Sequence, residues 1–462
     1  MIKKILPFLV IIPVLLLGGF GCKGLSTAQQ QATQPVTLEY WTVYDDVDAL
    51  QANIDKFKAE RPYLTINLRQ LRPDEIYQRL VETLAEDKGP DIISVQNKYM
   101  HVYQTKLAAM PASVQDTTVT VTKNAIGGTD TTINTANVVL PNITQIDREY
   151  VQAVKSDVVI GGKIYGLPLS FDTMALYYNK DLLDKAGVAE PPKTWDDFRK
   201  AVLKITKIDK KTDTVLQSGA ALGTAANIPG FDDLLYILFK QSNVSFVDQN
   251  GYAVFNASSV NEGSSPAMSV MNFYTDFANP TRDVYSWNED KGSALDSFIN
   301  GSLAFYFGYN FNYATIKARA PQLNFDVLPM LQLNPDQPVN AASYWLQTVT
   351  GKSKHQNEAW DLVNYLTHSK AVKDYLDTTA RPSALRTYIS GQLDNPVLFP
   401  FASQALVANS WYKGRNYDGA VKSLGDMTHQ WLAPIPSSKD PLGWQQEILN
   451  RAASQMNQTF AQ

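Results

Sequence analysis

The sequence has little cysteine, little histidine and no excess of positive charge, and each shortage excludes a class of function. Its one cysteine among 462 residues cannot form a disulfide within the chain. Lys and Arg number 41 against 45 Asp and Glu, a balance that gives no indication of a nucleic-acid partner. The four histidines form no HExxH pattern and no GxSxG pattern occurs, so no metal, cofactor or catalytic residue is predicted.

The acidic residues leave one class of enzyme open. A glycosidase needs only a pair of carboxylates, and no motif distinguishes such a pair among 45 acids. A secreted carbohydrate-active hydrolase therefore remains an alternative interpretation. Aromatic residues are plentiful, with 23 Tyr and 8 Trp, and such rings suit either large packed cores or the burial of a ligand. A chain of this length is expected to fold as more than one domain.

Residues 1–21 have the composition of an export signal peptide. Two lysines precede an apolar run that ends at Phe20 and is shorter than the roughly 20 residues that span a bilayer. The segment Leu17–Cys22 resembles a bacterial lipobox, in which the cysteine is diacylated and becomes the mature N-terminus. The resemblance predicts lipid attachment at Cys22, with a buried or incidental thiol as the alternative. Residues 22–35, rich in Gln, Thr and Ala, are predicted to form a flexible tether.

Strand and helix patterns alternate between residues 36 and 95. Apolar runs predict strands at 36–43, 64–68 and 91–95, and apolar residues at helical spacing fill both intervals. This order requires parallel strands joined by right-handed crossovers, with a ligand site beyond the carboxyl ends of the strands. Residues 116–140 are predicted to form a polar hairpin, which is either a surface excursion or a lid over that site.

Residues 161–198 carry the pattern around which the rest of the chain is organised. A Gly-Gly turn leads into an extended segment containing Pro168, which predicts a crossover between two bodies. Capped helices are predicted from Asp181 and Thr194. Later features are the motif Phe298-Ile299-Asn300-Gly301 with a strand behind it, the segment 343–349, and Glu358-Ala359-Trp360.

The order of these motifs resembles that of family 1 extracellular solute-binding proteins, the sugar-binding receptors of ABC importers that include maltose-binding protein. The resemblance covers nearly all of the chain after the tether. It implies an α/β, two-lobed periplasmic-binding-protein fold, or Venus flytrap, with discontinuous lobes joined by a multi-crossing hinge. It places 36–166 and 288–342 in the first lobe and 167–287 and 343–462 in the second, with hinge crossings near 167–172, 285–290 and 340–346.

A sugar receptor needs flat rings for the C–H faces of the sugar and planar polar groups for its hydroxyls. Such side chains follow the predicted strand ends and crossings. The predicted ligand-binding residues are Trp41, Tyr44, Asp45, Asp46, Gln96, Asn97, Phe171, Asp172, Thr173, Tyr309, Asn310, Trp345, Arg381 and Trp411. The alternative roles are interdomain packing for each ring and helix capping for each acid.

Together, the residues and the resemblance predict a lipid-anchored receptor on the extracytoplasmic face of the bacterial cell membrane. It would capture a mono- or oligosaccharide between its lobes and deliver it, as a monomer, to the permease subunits of an ABC importer, without catalysis of its own. The alternatives are the hydrolase, a receptor of the same fold for a polyamine, a glycerol phosphate or a metal, and a surface adhesin or sensor subunit.

Overall fold

The structure is a computed structural model that describes residues 26–123, 128–209, 211–257 and 265–461. The predicted signal peptide, Cys22 and the tip of the predicted hairpin lie outside these residues. Within the described ranges, no helix is both long and apolar enough to cross a bilayer. The described chain builds two separate five-stranded sheets, each with its own apolar core.

The strands, numbered along the chain, are β1 Val36–Thr42, β2 Leu64–Gln70, β3 Ile92–Gln96, β4 Ser113–Lys123, β5 Thr129–Val139, β6 Val159–Ile160, β7 Lys163–Ile164, β8 Leu167–Pro168, β9 Ala175–Asn179, β10 Lys207–Asp209, β11 Thr214–Ala220, β12 Leu303–Gly308, β13 Phe325–Pro329, β14 Asn340–Ala341, β15 Trp345–Val349 and β16 Ala408–Asn409.

The α-helices are α1 Thr27–Ala32, α2 Val47–Ala59, α3 Ile76–Ala85, α4 Met100–Tyr103, α5 Ile143–Glu149, α6 Gln152–Val158, α7 Lys180–Lys185, α8 Trp195–Ile205, α9 Phe231–Gln241, α10 Pro266–Asp276, α11 Ala294–Ile299, α12 Asn310–Arg319, α13 Gln356–His368, α14 Lys370–Thr379, α15 Arg386–Gln392, α16 Phe399–Ala402, α17 Tyr417–Leu432 and α18 Pro441–Gln458. Short 3-10 turns occur at Asn97–Tyr99, Gln104–Lys106 and Phe255–Ala257.

The first sheet has the strand order β2-β1-β3-β15-β8. Strands β2, β1 and β3 run parallel, as the sequence predicts, whereas β15 is antiparallel to both β3 and β8. Helix α2 follows Asp46, whose side chain accepts a hydrogen bond from the N–H of Ala49, and it buries Leu50, Ile54 and Phe57 in the first core. The carboxyl ends of β1 and β3 therefore lie side by side at one edge of this core.

The second sheet has the strand order β10-β11-β12-β9-β13. Strand β9 is antiparallel to its neighbours β12 and β13, and β11 is parallel to β12. Helix α8 begins after the predicted cap Thr194, whose side chain accepts a hydrogen bond from the N–H of Asp197. Its residue Phe198 packs in the second core with Tyr177 of β9 and Phe305 of β12. The two sheets thus have separate cores that are held together by the segments passing between them.

The lobe boundaries predicted from the resemblance are wrong in two long segments and at β8, which was assigned to the second lobe but pairs with β15 in the first sheet. Strands β12 and β13, within the segment 288–342 assigned to the first lobe, pair with β9 in the second sheet. Strand β15, assigned to the second lobe, pairs with β3 and β8 in the first sheet. The predicted crossing near 285–290 is also wrong, because Trp287 and Phe298 both lie in the second core. An apolar strand pattern shows that a segment is extended and buried, but not which sheet supplies its hydrogen-bond partners.

We define the two lobes by sheet and core. The first lobe comprises 36–168 and 345–392, and the second comprises 175–329 and 411–460. The chain passes between them at 169–174, 330–344 and 393–410, and the short parallel strands β14 and β16 pair two of these segments. Such a narrow connection permits rigid-body movement of the lobes through small backbone changes at few residues.

Strands β4 and β5 form a long antiparallel hairpin attached to the first lobe. The N–H of Val119 donates to the carbonyl oxygen of Glu60 (2.8 Å), and the hydroxyl of Tyr63 donates to the carbonyl oxygen of Thr117 (2.9 Å). Glu60 and Tyr63 precede β2, at the edge of the sheet opposite the carboxyl ends of β1 and β3. The described part of the hairpin is therefore a surface excursion, and the lid alternative is wrong for these residues.

Candidate functional site

A cavity of about 400 Å³, here called the interlobe cavity, lies between the two lobes. One wall follows the carboxyl ends of β1 and β3, where the sequence predicts a ligand site, and the other contains the starts of α9 and α12. Its lining residues are Tyr44, Asp45, Pro73, Tyr77, Gln96, Lys98, Tyr99, Ser170, Asp172, Pro229, Gly230, Asp232, Asp233, Leu295, Tyr306, Tyr309, Phe311, Asn312, Ser343, Tyr344, Trp345, Arg381 and Tyr417.

A second cavity, of about 500 Å³, is lined by the second lobe and by Leu333 of the crossing segment 330–344. Trp195, Leu238, Val270 and Phe273 line it, and its wall contains no residue of the first lobe among those the structure describes. A ligand held there would make no contact with the described residues of the first lobe. The interlobe cavity is the site at which both lobes can contact one ligand.

Aromatic rings from both lobes meet across the interlobe cavity. Tyr44 of the first lobe stacks on Phe311 of the second, with ring centroids 5.1 Å apart and planes 23° from parallel. Trp345 packs edgewise on Tyr44 at 5.7 Å, and Tyr309 lies 6.0 Å from Phe311 with nearly parallel planes. Stacked rings of this kind present flat apolar faces to a ligand and exclude water from the polar groups beside them.

Asp172 joins the crossing segment 169–174 to the start of α12. Its Oδ1 accepts hydrogen bonds from the backbone N–H groups of Thr173 and Asn310, both at 2.9 Å, and its Oδ2 accepts one from Phe311 at 3.2 Å. Burial raises the pKa of Asp172 to about 7, although these N–H donors and the Arg381 guanidinium favour the ionised form. Asp172 thus caps a helix of the second lobe while it lines the cavity.

Asp45 is held at the first-lobe wall by three polar side chains. Its Oδ2 accepts hydrogen bonds from Thr42 Oγ1, from Ser94 Oγ at 3.1 Å and from Gln347 Nε2 at 3.2 Å. Thr42 ends β1, Ser94 lies in β3 and Gln347 lies in β15, so adjacent strands of one sheet supply all three donors. Carboxylates fixed by charge-assisted hydrogen bonds are suited to orienting the hydroxyls of a ligand.

A buried ion cluster joins the two lobes at one side of the interlobe cavity. Lys98 follows β3, and its ammonium contacts the carboxylates of Asp233 and Asp232, the latter at 3.3 Å, in the first turn of α9. The Lys98 ammonium also donates to the hydroxyl of Tyr417 at 3.2 Å, and this hydroxyl donates to Asp232 at 2.6 Å. Burial alone would lower the pKa of Lys98, but the two carboxylates outweigh it and the pKa is raised.

Several predicted site residues lie together at the cavity. Gln96 donates through Nε2 to Ser343 Oγ at 3.2 Å, and Arg381 donates through Nη2 to the carbonyl oxygen of Tyr44 at 2.6 Å. The predicted residues that line the cavity are Tyr44, Asp45, Gln96, Asp172, Tyr309, Trp345 and Arg381. They come from both lobes and from a crossing segment, so a single ligand could contact all three parts of the chain.

The remaining predicted residues do not line the interlobe cavity, and their side chains have structural roles. Their side chains occupy caps, cores or crossing segments: Asp46 caps α2, Trp41 lies in the first core, Asn97 donates to Asp157 and to the Ala342 carbonyl oxygen, Phe171 packs on Tyr344, Thr173 donates to the Phe401 carbonyl oxygen, Asn310 begins α12, and Trp411 donates to Asp233. Successive side chains of an extended segment point to opposite sides, which explains why Asp172 lines the cavity and its neighbours do not.

The sequence patterns did not single out several residues that line the cavity. These are Tyr77, Lys98, Asp232, Asp233, Phe311 and Tyr417. Lys98 directly follows Asn97 at the end of a predicted strand, and this position is the one sequence feature that could have indicated its place at the cavity. Acids in the first turn of a helix are normally explained as favourable partners of its N-terminus, so Asp232 and Asp233 carry no specific signal.

Asp157 is a buried carboxylate beside the crossing segment 330–344. Its Oδ2 accepts hydrogen bonds from the hydroxyl of Tyr344 at 2.7 Å and from Asn97 Nδ2 at 3.2 Å. Burial nevertheless raises the pKa of Asp157 to about 6. The folded protein therefore keeps a proton on this carboxyl over a pH range in which the unfolded chain, with its ordinary pKa near 3.8, has lost it.

This difference predicts that the free energy of unfolding falls between about pH 4 and pH 6. Because the folded pKa is raised, the contribution of Asp157 to stability is lost as the pH rises through the folded value, by up to about 3 kcal/mol. Urea denaturation of the wild type and of Asp157→Asn at pH 4.5 and pH 7.5 measures the effect. The variant is expected to lose less stability between the two pH values, and equal losses would contradict the prediction.

The sequence is similar to those of known bacterial binding proteins. The family model for bacterial extracellular solute-binding proteins matches residues 43–373. A multiple sugar-binding protein of Streptococcus mutans is 23% identical over 370 residues, which cover 78% of each chain. A binding protein of Brucella abortus is 22% identical over 314 residues, 67% of this chain and 66% of the relative, so the chain spans just under two thirds of that protein.

Among solved structures, the cyclic alpha-maltosyl-1,6-maltose binding protein from Arthrobacter globiformis superposes with a TM-score of 0.70. Its sequence is 17% identical, and the superposition covers 92% of this chain and 99% of that protein. At this identity the likeness shows the two-lobed fold. The two-lobed fold expected from the order of the sequence motifs is therefore confirmed.

Proposed function

Because the chain belongs to the family of bacterial extracellular solute-binding proteins, we propose that it captures a mono- or oligosaccharide between its lobes and delivers it to an ABC importer. The observation that carries the proposal is the interlobe cavity, which combines stacked rings with fixed carboxylate, amide and guanidinium groups from both lobes. Rings suit the C–H faces of a sugar, and these polar groups suit its hydroxyls. The names of the Streptococcus and Arthrobacter proteins support the same ligand class.

The proposed mechanism is closure of the lobes around the ligand, and the proposed location is the extracytoplasmic face of the membrane. Contacts from both lobes to one ligand favour the closed arrangement, which the permease would recognise. The protein would act as a monomer on the extracytoplasmic face of the membrane, attached through a lipid on Cys22. Hydrolysis of ATP would take place in other subunits, and this chain would not modify its ligand.

A binding screen tests the ligand class. Purified protein is titrated with neutral mono- and oligosaccharides, with polyamines and with glycerol phosphate, while thermal unfolding and tryptophan fluorescence are recorded. Saturable binding of an unmodified sugar, with no product by chromatography, is the expected result. Release of reducing ends would favour a hydrolase instead. A response confined to polyamines or glycerol phosphate would show that the ligand belongs to that class and is not a sugar.

Trp345→Ala is expected to weaken binding of the sugar identified in this screen by about tenfold to a hundredfold. The reason is that the indole of Trp345, at the start of β15, contributes apolar surface beside Tyr44, and truncating such a ring typically costs about 1 to 3 kcal/mol. Isothermal titration calorimetry gives both dissociation constants. Trp431→Ala is the matched control, since Trp431 is half-buried on the second lobe, outside the cavity; equal losses in both variants would contradict a local role for Trp345.

A further inference from the structure

The charged groups of the interlobe cavity are mostly acidic. Among the described residues that line it, the carboxylates outnumber the cationic groups: Asp45, Asp172, Asp232 and Asp233 against Lys98 and Arg381. Arg381 uses one N–H on the Tyr44 carbonyl oxygen. An anion that enters this space therefore meets more negative than positive charge, in surroundings where water screens charge weakly.

The Lys98 ammonium has no free donor for a ligand anion. A lysine ammonium has three N–H groups, and here its hydrogen-bond partners are Asp232, Asp233 and the hydroxyl of Tyr417. The ammonium is almost fully buried, as are both carboxylates. The protein's own carboxylates thus occupy the positions that a ligand carboxylate or phosphate would take on this cation.

The same two aspartates also lie at other features that would attract an anion. They lie in the first turn of α9, where unpaired N–H groups and the helix dipole favour negative charge. Asp233 also accepts hydrogen bonds from Trp411 Nε1 at 2.9 Å and from the hydroxyl of Tyr309. The Lys98 ammonium, the Trp411 indole and the Tyr309 hydroxyl are therefore committed to carboxylates that belong to the protein, and these carboxylates already stand in the first turn of α9.

We propose that Asp232 and Asp233 are specificity-determining residues that exclude anionic ligands from the interlobe cavity and so restrict it to uncharged ones. This inference rests on the proposed function, because it takes the interlobe cavity as the ligand site, and it adds the kind of ligand that the cavity excludes. It predicts that removing the two charges, while the shape of the side chains is kept, converts the Lys98 position into an anion site.

The test compares the wild type with the double variant Asp232→Asn/Asp233→Asn. Both are titrated calorimetrically with inorganic phosphate and with glucuronate, at constant ionic strength, and with glucose as the neutral partner of glucuronate. The wild type is expected to show no saturable anion binding. The double variant is expected to bind both anions saturably, on the order of a hundredfold more tightly than the wild type, because the charges are at contact distance. Its affinity for them should fall when the titration is repeated at higher salt.

Control variants separate this effect from a change in net charge or fold. Asp283→Asn/Asp290→Asn changes the net charge of the second lobe equally at exposed positions and should gain no anion binding. Adding Lys98→Met to the double variant should abolish the gain. If circular dichroism shows that the double variant is unfolded, the single variant Asp232→Asn replaces it, since it leaves Asp233 with Trp411 and Tyr309.

Two results would overturn the inference: anion binding by the wild type that matches the variant, or a folded variant without any gain. These results are distinct from a failure of the proposed function. A protein that binds a neutral sugar and also binds anions defeats only the inference. A protein that rejects anions, gains them in the double variant and binds no sugar defeats only the sugar proposal.

Discussion

Asp172→Ala is expected to abolish ligand binding and to lower the free energy of unfolding by about 2 to 5 kcal/mol. The substitution leaves the buried backbone N–H groups of Thr173 and Asn310, and the half-buried one of Phe311, without their shared acceptor. Each buried donor left without a partner costs about 1 to 3 kcal/mol. Urea denaturation measures the stability, and calorimetry with the sugar found in the screen measures the binding.

Asp172→Asn is the matched control for this prediction. The amide keeps Oδ1, which accepts the bonds from Thr173 and Asn310, and loses only the acceptor for Phe311. It is therefore expected to retain more than half of the lost stability and part of the binding. If the alanine variant is no less stable than the asparagine variant, the carboxylate does not fix α12 to the crossing segment.

The strands of the first lobe could be predicted from the sequence, because apolar periodicity is a local property. The sequence does not determine which of the two sheets a later strand joins, as β12 and β15 show. Both are apolar segments next to a predicted crossing, and either sheet could accept them by pattern alone. Their hydrogen-bond partners, β9 for β12 and β3 for β15, are far away in sequence and are chosen by the packing of whole lobes.

The candidate site was predictable in part, where it follows the ends of strands and where the chain crosses between the lobes. Asp45 follows the end of β1 and Gln96 is the last residue of β3, so the topology places them at the cavity. Lys98 and Asp232 are 134 residues apart and belong to different lobes. Neither residue has a local pattern that points to the other, since a lysine after a strand and an acid in a first helical turn are both common on exposed surfaces.

Arg61 holds two acidic side chains where the hairpin joins the first lobe. Its guanidinium contacts Asp116 of β4 at 2.7 Å and Asp361 of α13 at 3.6 Å, and it lies over the ring of Phe57 at 3.9 Å. All three charged side chains are largely buried. Burial, followed by the charge of Asp116, raises the pKa of Asp361 to about 7, and Arg61 opposes this rise.

Arg61→Leu is expected to lower the free energy of unfolding by about 3 to 5 kcal/mol at pH 8, because two neighbouring carboxylates remain buried without a cation. The loss should be smaller at pH 5.5. Asp361 has a folded pKa above its unfolded value, and removing Arg61 raises the folded value further, so below it the folded protein binds the proton and avoids the unpaired charge. Urea denaturation at both pH values measures the difference.

The double variant Arg61→Leu/Asp361→Asn decides whether charge or packing is responsible. If the buried carboxylate causes the loss, replacing Asp361 with its neutral isostere should restore about half of the stability at pH 8 and remove the pH dependence of the Arg61→Leu effect. If packing of the guanidinium on Phe57 dominates, the double variant will be no more stable than Arg61→Leu, and the loss will be equal at the two pH values. A restored double variant would also show that β4 stays on the first lobe without the ion pair between Arg61 and Asp116, through the hydrogen bonds from the Val119 N–H to Glu60 and from the Tyr63 hydroxyl to Thr117.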